Sequence, residues 1–241
     1  MKWYTFFAAM CFISVPSFAF AGEGDTAREK IQAHLKEASK VHRIPNSRSM
    51  VMFGPTGQAV VVTDNPRYVV KGELFDMWLN EELKSQKAVD ESNQTIPLSK
   101  MSVNTVGLLD VVVNPEKLNT VTIFLDPFES GSGDVVRILR KYATNYRLRF
   151  ILTTNQDKHV PALQRFACEV EKHNTEDVLS MIERQEFTNS SQSCIEQKVI
   201  KTLGLTGFLR IAKSPTIIAS NERYVEALPA NIMQWLADNK E

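Results

Sequence analysis

The second half of the chain alternates between short apolar runs and helical patterns. Val121–Leu125 is almost wholly apolar, which is typical of a strand buried on both faces. Residues 135–146 carry apolar side chains at helical spacing, and residues 147–154 return to a strand pattern. A strand, a helix and a strand in this order predict a parallel pair of strands joined by a crossover helix.

The remainder of the chain completes this predicted domain. Residues 160–204 read as mostly helical, and a helix is expected over 230–238. Between them, strands are expected at 216–219 and 223–225, joined by the turn Ser220-Asn221-Glu222. The pattern predicts an α/β fold class: a thioredoxin-like fold with a helical insertion, spanning residues 119–241.

The first half predicts a smaller unit and an arm. A helix over 26–41 and strands near 49–53, 58–62 and 67–71 give an α+β domain at 22–72. So short a segment buries little apolar surface alone, which predicts a homodimer formed through this domain. Residues 73–118 are expected to form a linker arm, with an apolar helical stripe at 74–79 and a solvated linker or frayed helix at 82–94.

The first 21 residues have the pattern of a signal peptide. Lys2 precedes a mostly apolar run over 3–18, and Ala19-Phe20-Ala21 fits the small-x-small cleavage rule. We therefore expect residues 1–21 to be removed, a mature chain that begins at Gly22, and a periplasmic location. An uncleaved anchor is the alternative, although the run is short for a span of about 20 residues.

Charge and cysteine content narrow the function classes. The chain has 28 basic and 28 acidic residues, so no basic excess favours nucleic acid as a partner. Cys11 lies in the signal segment, which leaves Cys168 and Cys194. Two thiols in an oxidising compartment usually pair, and their separation excludes a CxxC redox pair. A structural disulfide is predicted, with two buried unpaired thiols as the alternative.

Several stretches together resemble the DsbC/DsbG family of disulfide isomerases. The stretch 58–78 resembles the end of that family's dimerisation domain, and Val121–Phe128 resembles the strand that delivers its catalytic motif. Cys168 and Cys194 match the family's structural disulfide, and Ser214-Pro215 stands where the family has a Thr/Val–cis-Pro pair. The resemblance implies a thioredoxin-like fold and a substrate groove beside the cis-proline loop.

The chain departs from this family at the catalytic motif. Where the family has Cys-x-x-Cys, this sequence reads Glu129-Ser130-Gly131-Ser132, and no CxxC occurs anywhere in it. Thiol–disulfide exchange needs a thiolate nucleophile and a resolving thiol, and neither Glu129 nor Ser132 supplies one. The isomerase reaction of the family is therefore not expected here.

Other chemistries find little support in the sequence. Gly131-Ser132-Gly133-Asp134 precedes a helix and could hold an anion, although a plain helix start capped by Ser132 or Asp134 is the simpler interpretation. The four histidines are scattered, with no second histidine at ligand spacing, so no metal or other cofactor is expected. The serines of the motif lack a Gly-x-Ser-x-Gly pattern.

These observations favour an exported, non-catalytic protein that holds unfolded or partly folded exported proteins. It would act as a chaperone or assembly factor for envelope proteins. DsbC-like folds often occur in accessory proteins of conjugative transfer, which suggests that setting. Two alternatives remain: an isomerase-family component that relies on the cysteines of a partner chain, and a structural subunit of a secretion complex.

Overall fold

The computed structural model describes residues 29, 41–44, 47–54, 56–65, 67–101, 103–142, 144–187 and 196–240. The predicted signal peptide, most of the predicted helix over 26–41, and Cys194 lie outside these residues. No helix within the described ranges is both long enough and apolar enough to cross a membrane.

A small antiparallel sheet forms the N-terminal part of the described chain. Its four strands lie in sequence order, each paired with the next. They are β1 (His42–Arg43), β2 (Met50–Phe53), β3 (Ala59–Val62) and β4 (Val69–Gly72). The three predicted strands in this region agree with β2, β3 and β4 to within about two residues at their ends.

The arm that follows differs from its predicted form. The apolar positions at 74–79 belong to a hairpin of β5 (Leu74–Asp76) and β6 (Glu81–Leu83), so the predicted helical stripe is wrong. The physical reason is Asp76, whose Oδ1 accepts the backbone N–H groups of Trp78 and Leu79 at 2.8 and 3.1 Å. An aspartate that bonds the backbone in this way favours a turn. Helix α1 (Gln86–Ser92) follows the hairpin.

The arm also covers the small sheet. Leu83 and Val89 are buried with Val51 and Ala59 in one apolar cluster, against which Leu74 packs. The small sheet therefore buries apolar surface against residues 74–89 of its own chain. Residues 74–89 thus supply part of the apolar core that lies against the small sheet.

The larger, C-terminal part of the chain is built on a five-stranded sheet in the order β11-β10-β8-β9-β7. The two central strands, β8 and β9, are parallel, and the other neighbours are antiparallel. The strands are β7 (Asp110–Val113), β8 (Thr120–Leu125), β9 (Arg147–Leu152), β10 (Thr216–Ile218) and β11 (Tyr224–Val225). The helices are α2 (Ser132–Arg140), α3 (Val160–Lys172), α4 (Thr175–Arg184), α5 (Glu196–Phe208) and α6 (Ile232–Asp238).

This arrangement confirms the predicted thioredoxin-like fold. A parallel pair, β8 and β9, is joined through α2, and β10 and β11 add an antiparallel hairpin beside β8. Helices α3, α4 and α5 occupy the predicted helical insertion. Strand β7 lies inside the segment 73–118 that was expected to be a linker, and its pairing with β9 extends the sheet by one edge strand.

Apolar clusters cover both faces of this sheet. Val121, Ile123 and Leu125 of β8 are buried in the larger cluster with residues of α2, α3, α4 and α6. Phe124 lies in the second cluster, with Leu205 and Leu209. The alternation of side chains along a strand accounts for this division. It leaves the end of β8 fixed between two packed layers.

Candidate functional site

The segment after β8 turns sharply before α2 begins. The backbone N–H of Glu129 donates to the carbonyl of Asp126 at 3.3 Å, and the N–H of Ser132 donates to the carbonyl of Glu129 at 3.2 Å. Gly131 is the residue before the helix and has φ of 96°, a conformation that side chains disfavour. The motif Glu129–Ser132 thus follows a buried strand and ends at Ser132, the first residue of α2.

The two ends of this four-residue motif have opposite surroundings. Ser132 is 3% exposed, and its Oγ donates to the carbonyl of Asp126 at 2.6 Å. Glu129 is half-buried, and Ser130 is exposed. The prediction that Ser132 or Asp134 caps α2 is wrong, because no side chain makes a capping hydrogen bond there; the hydroxyl of Ser132 points to the preceding loop instead.

Asp126 is the centre of the loop's hydrogen bonds. The residue is 2% exposed, and its Oδ1 accepts the backbone N–H of Phe128 at 2.9 Å. Its Oδ2 accepts the hydroxyl of Thr154 at 2.5 Å and lies 2.8 Å from Nδ1 of His159. An ionised carboxylate only accepts hydrogen bonds, so Nδ1 donates in this arrangement.

The geometry around Asp126 is not that of a catalytic triad. Thr154 and His159 share one carboxylate oxygen, whereas a triad needs the hydroxyl to bond the imidazole, which in turn bonds the carboxylate. The Asp126 carboxylate therefore holds two neighbouring segments together. Among the described contacts, neither the hydroxyl of Thr154 nor that of Ser132 bonds an imidazole that could act as its base. These residues thus form a structural hydrogen-bond network.

The pairing of Asp126 with His159 was not predicted from the sequence. The two residues are 33 positions apart, so no local spacing joins them. A signal did exist: Asp126 directly follows β8, and His159 lies in the short segment between β9 and α3. The carboxyl ends of neighbouring parallel strands lie at the same edge of a sheet.

Within the described ranges, no group of three or more His, Cys, Asp or Glu residues could hold a metal ion.

Aromatic packing supports the loop from below. The ring of Phe128 lies 4.7 Å from that of Phe187 and 6.0 Å from that of Phe166, between ring centroids. The ring of His159 lies 5.8 Å from Phe128. Such tilted and edge-to-face arrangements are favourable for aromatic pairs. The loop is held by this cluster on one side and by Asp126 on the other.

The Ser214–Pro215 segment meets the same loop. The peptide bond between these two residues is cis, and the resemblance to the DsbC/DsbG family places a cis-proline pair at the same position. The Oγ of Ser214 accepts the backbone N–H of Asp126 at 2.8 Å, and Pro215 directly precedes β10, the neighbour of β8. The structure thus brings together the predicted motif at 129–132 and the predicted cis-proline loop.

A cavity of about 240 Å³ opens between these segments; we call it the cis-proline pocket. Three segments line it: the loop after β8, the residues after β9, and the cis-proline loop with the end of β11. Its residues are Asp126, Glu129, Thr153, Thr154, Asn155, Gln156, Ala212, Lys213, Ser214 and Glu226. Most of these lining residues are polar, and the pocket lies directly beside the first position of the degenerate motif.

One ion pair stands at the rim of the pocket. Nζ of Lys213 lies 2.8 Å from Oε2 of Glu226. Lys213 donates a hydrogen bond to Glu226, and this bond together with the negative charge of Glu226 raises the pKa of the Lys213 ammonium. Lys213 is therefore charged and paired with Glu226 at neutral pH. The other two carboxylates on the pocket wall are those of Glu129 and Asp126.

The structure describes only one of the two cysteines of the predicted disulfide. Cys168 lies in α3, is 1% exposed, and is disulfide-bonded. Its predicted partner, Cys194, lies outside the described residues, so the pairing of these two cysteines stays a prediction. A buried cysteine in a disulfide offers no free thiolate to a substrate.

Comparisons with known proteins return Dsb and thioredoxin-like structures. The chain is similar to a disulfide interchange protein from Neisseria gonorrhoeae, with 15% identity, a TM-score of 0.45, and coverage of 54% of this chain and 94% of that one. It is also similar to Helicobacter pylori DsbG, with 13% identity, a TM-score of 0.40, and coverage of 81% of this chain and 99% of that one. A periplasmic thioredoxin-like protein from Salmonella enterica serovar Typhimurium matches with 11% identity, a TM-score of 0.43, and coverage of 60% of this chain and 97% of that one. No protein-family model and no curated protein matches the sequence.

Proposed function

We propose that this protein is an exported, redox-inactive binding protein that holds unfolded or partly folded proteins at the cis-proline pocket. It is a chaperone or assembly factor for proteins of the envelope. One observation carries the proposal: the pocket beside the cis-proline loop is open, whereas the two positions that would carry reactive cysteines are Glu129 and Ser132.

The absence of thiols in the motif supports the first half of the proposal. Exchange requires a thiolate that attacks a disulfide and a second thiol that resolves the product. Ser132 is buried, and its hydroxyl is bonded to the carbonyl of Asp126. Glu129 carries a carboxylate, which forms no exchangeable bond with sulfur. The scaffold is retained while the reacting atoms are not.

The lining of the pocket supports the second half. Polar residues from three segments line the pocket, including Asn155, Gln156 and Lys213. Convergent polar groups in a concave site are the usual means of fixing the orientation of a ligand. An extended peptide offers matching donors and acceptors along its backbone.

The test is suppression of aggregation. The mature protein is mixed with a chemically denatured test protein that contains no cysteine, and light scattering is followed on dilution of the denaturant. We expect suppression at a molar ratio near one chain per client. Ala212 is exposed and lines the pocket, so Ala212→Trp should fill it and abolish most of the suppression.

A matched control separates pocket filling from a general effect of tryptophan. Ala237 is exposed on α6 and is not part of the pocket lining, so Ala237→Trp should leave suppression unchanged. Equal suppression by both variants would reject the pocket as the binding site. Failure of the unmodified protein to suppress aggregation would favour the alternative of a structural subunit, which should copurify with envelope partners from its own host.

The proposal includes assembly, location and setting. We propose a homodimer of the mature chain in the periplasm, serving the assembly of envelope or conjugative-transfer proteins. Support for dimerisation comes from β4, which is an edge strand of its sheet. Val70 on this strand is 59% exposed, and Tyr68, just before it, is 57% exposed. Exposed edge strands readily pair with a second chain. Light scattering on the mature protein at tens of micromolar should give twice the mass of one chain. The Val70→Glu variant should give the mass of a single chain.

A further inference from the structure

A second cavity lies at the opposite end of the central sheet. It measures about 320 Å³, and Arg147, Arg149, Thr120 and Thr122 line it from the starts of β8 and β9; we call it the arginine pocket. A strand rises by about 3.3 Å per residue, so the six residue steps from Thr120 to Asp126 separate it from the cis-proline pocket by roughly 20 Å.

The register of the sheet brings these four polar residues onto one face. Thr120 is paired with Arg147, and Thr122 with Arg149. Further along the same face, Phe124 is paired with Ile151, and both are fully buried in an apolar cluster. Side chains two positions apart share a face. This face therefore changes from apolar to cationic halfway along two buried strands.

The two arginines differ in how their guanidinium groups are satisfied. Nε of Arg149 donates to Oδ2 of Asp110 at 2.6 Å, and its Nη2 donates to the carbonyl of Thr105 at 2.7 Å. These bonds tie β9 to β7 and to the preceding loop. Arg149 is thus occupied by structural contacts, and its charge is offset by Asp110.

Among the described residues, Arg147 has no partner comparable to Asp110. Within the part of the chain that the structure describes, no acceptor bonds Nε of Arg147, although this atom is shielded from solvent. An unsatisfied donor in such a place is costly, and more so in a charged group. The pattern is unexpected for a purely structural arginine, because buried polar groups are nearly always paired.

One carboxylate also faces the arginine pocket. Glu222 lies in the turn between β10 and β11, and its Oε1 accepts the backbone N–H of Ser99 at 2.8 Å. This bond holds the carboxylate to the loop on the other side of the cavity. Glu222 lowers the net positive charge of the pocket, and its removal should favour an anion there.

We propose that the arginine pocket binds an oxyanion, the group shared by carboxylates and phosphates, through the guanidinium of Arg147. A guanidinium presents its N–H groups in a planar fork that matches two oxygens of such a group. The hydroxyls of Thr120 and Thr122 line the same cavity and supply further donors. The site is distinct from the cis-proline pocket and does not depend on the function proposed for it.

The experiment titrates the mature protein with sodium phosphate at constant pH, with sodium chloride adjusted to hold the ionic strength constant. Binding is read from the Nε–H resonances of arginine in 15N-labelled protein. Arg147 should shift in a saturable manner while Arg149 shifts little. Acetate and a pair of short peptides, one with a free and one with an amidated C-terminus, distinguish a phosphate source from a carboxylate source.

Substitutions of opposite sign make the result decisive. Arg147→Gln should weaken phosphate binding by roughly tenfold or more, and Arg147→Lys should be intermediate because it keeps the charge but loses the fork. Glu222→Gln should tighten binding by up to about fivefold. Arg137→Gln is the matched control, since Arg137 is exposed on α2 outside the pocket lining, and it should change nothing.

The outcome is readable even if one variant is unstable. If Arg147→Gln does not fold, Arg147→Lys and Glu222→Gln still carry the test. Absence of saturable binding by phosphate, acetate and both peptides would overturn the proposal. Equal affinities in Glu222→Gln, Arg147→Lys and the unmodified protein would overturn it as well, because binding would then occur elsewhere.

Discussion

The loop after β8 has a buried side and an open side, and the two differ in what they can do. On the buried side, Asp126, Ser132, Thr154 and His159 satisfy one another; we call these four residues the Asp126 network. On the open side, Glu129 is half-buried on the wall of the cis-proline pocket. The contrast indicates that the buried side maintains the shape of the loop, while the open side is free to determine what binds.

The largest effect is expected on the buried side. Asp126→Ala removes the acceptor for three donors, the Phe128 N–H, the Thr154 hydroxyl and Nδ1 of His159. Because buried donors lose their acceptor, we expect a loss of about 3 to 5 kcal/mol in the free energy of unfolding, measured by urea denaturation. Asp157 is exposed in the same region, and Asp157→Ala should cost less than about 0.5 kcal/mol. Similar losses in both variants would show that Asp126 is no special anchor.

The next effect concerns how closely α2 approaches α4. A Cβ on Gly133 would lie 2.6 Å from the carbonyl oxygen of Glu183, closer than real Cβ contacts. Gly133→Ala should destabilise the protein by about 1 to 3 kcal/mol, because the backbones of α2 and α4 must move apart to make room for the new methyl group. Gly204 in α5 is the matched control, since a Cβ there meets nothing within 4 Å. Gly204→Ala should stabilise by about 0.5 to 1 kcal/mol, and thermal unfolding should show the opposite signs.

A smaller effect compares the two ends of the motif directly. Ser132→Ala removes the buried hydrogen bond to the carbonyl of Asp126 and should cost about 1 kcal/mol. Glu129→Ala lies on the open side and should change stability by less than about 0.5 kcal/mol, while altering aggregation suppression. If Glu129→Ala proves the more destabilising of the two, the assignment of the buried and open sides is wrong.

Local patterns were sufficient to predict most of the larger domain. The buried strand at 121–125, the helix that follows it and the cis bond at Ser214–Pro215 are all present in the structure. Their signals lie in adjacent residues: a continuous apolar run, helical spacing, and a serine–proline pair in a family-like position.

The features that escaped prediction depend on residues far apart in sequence. The Asp126 network joins segments that meet only because β8 and β9 are parallel neighbours. The difference between Arg147 and Arg149 depends on Asp110 of β7, a four-residue strand too short for its pattern to stand out. The hairpin at 74–83 was missed because one side chain, that of Asp76, outweighs the helical spacing of its apolar neighbours.

The central proposal is that this chain has a thioredoxin-like fold but does not carry out thiol–disulfide exchange, and insulin reduction by the mature protein tests it most directly. The unmodified chain should give no reduction above the rate of dithiothreitol alone. Glu129→Cys with Ser132→Cys should create a reactive pair at the start of α2, with the thiol at position 129 below the free pKa of about 8.5. Inactivity of the folded double variant would show that the motif is misplaced. Insulin reduction by the unmodified chain would contradict the account itself.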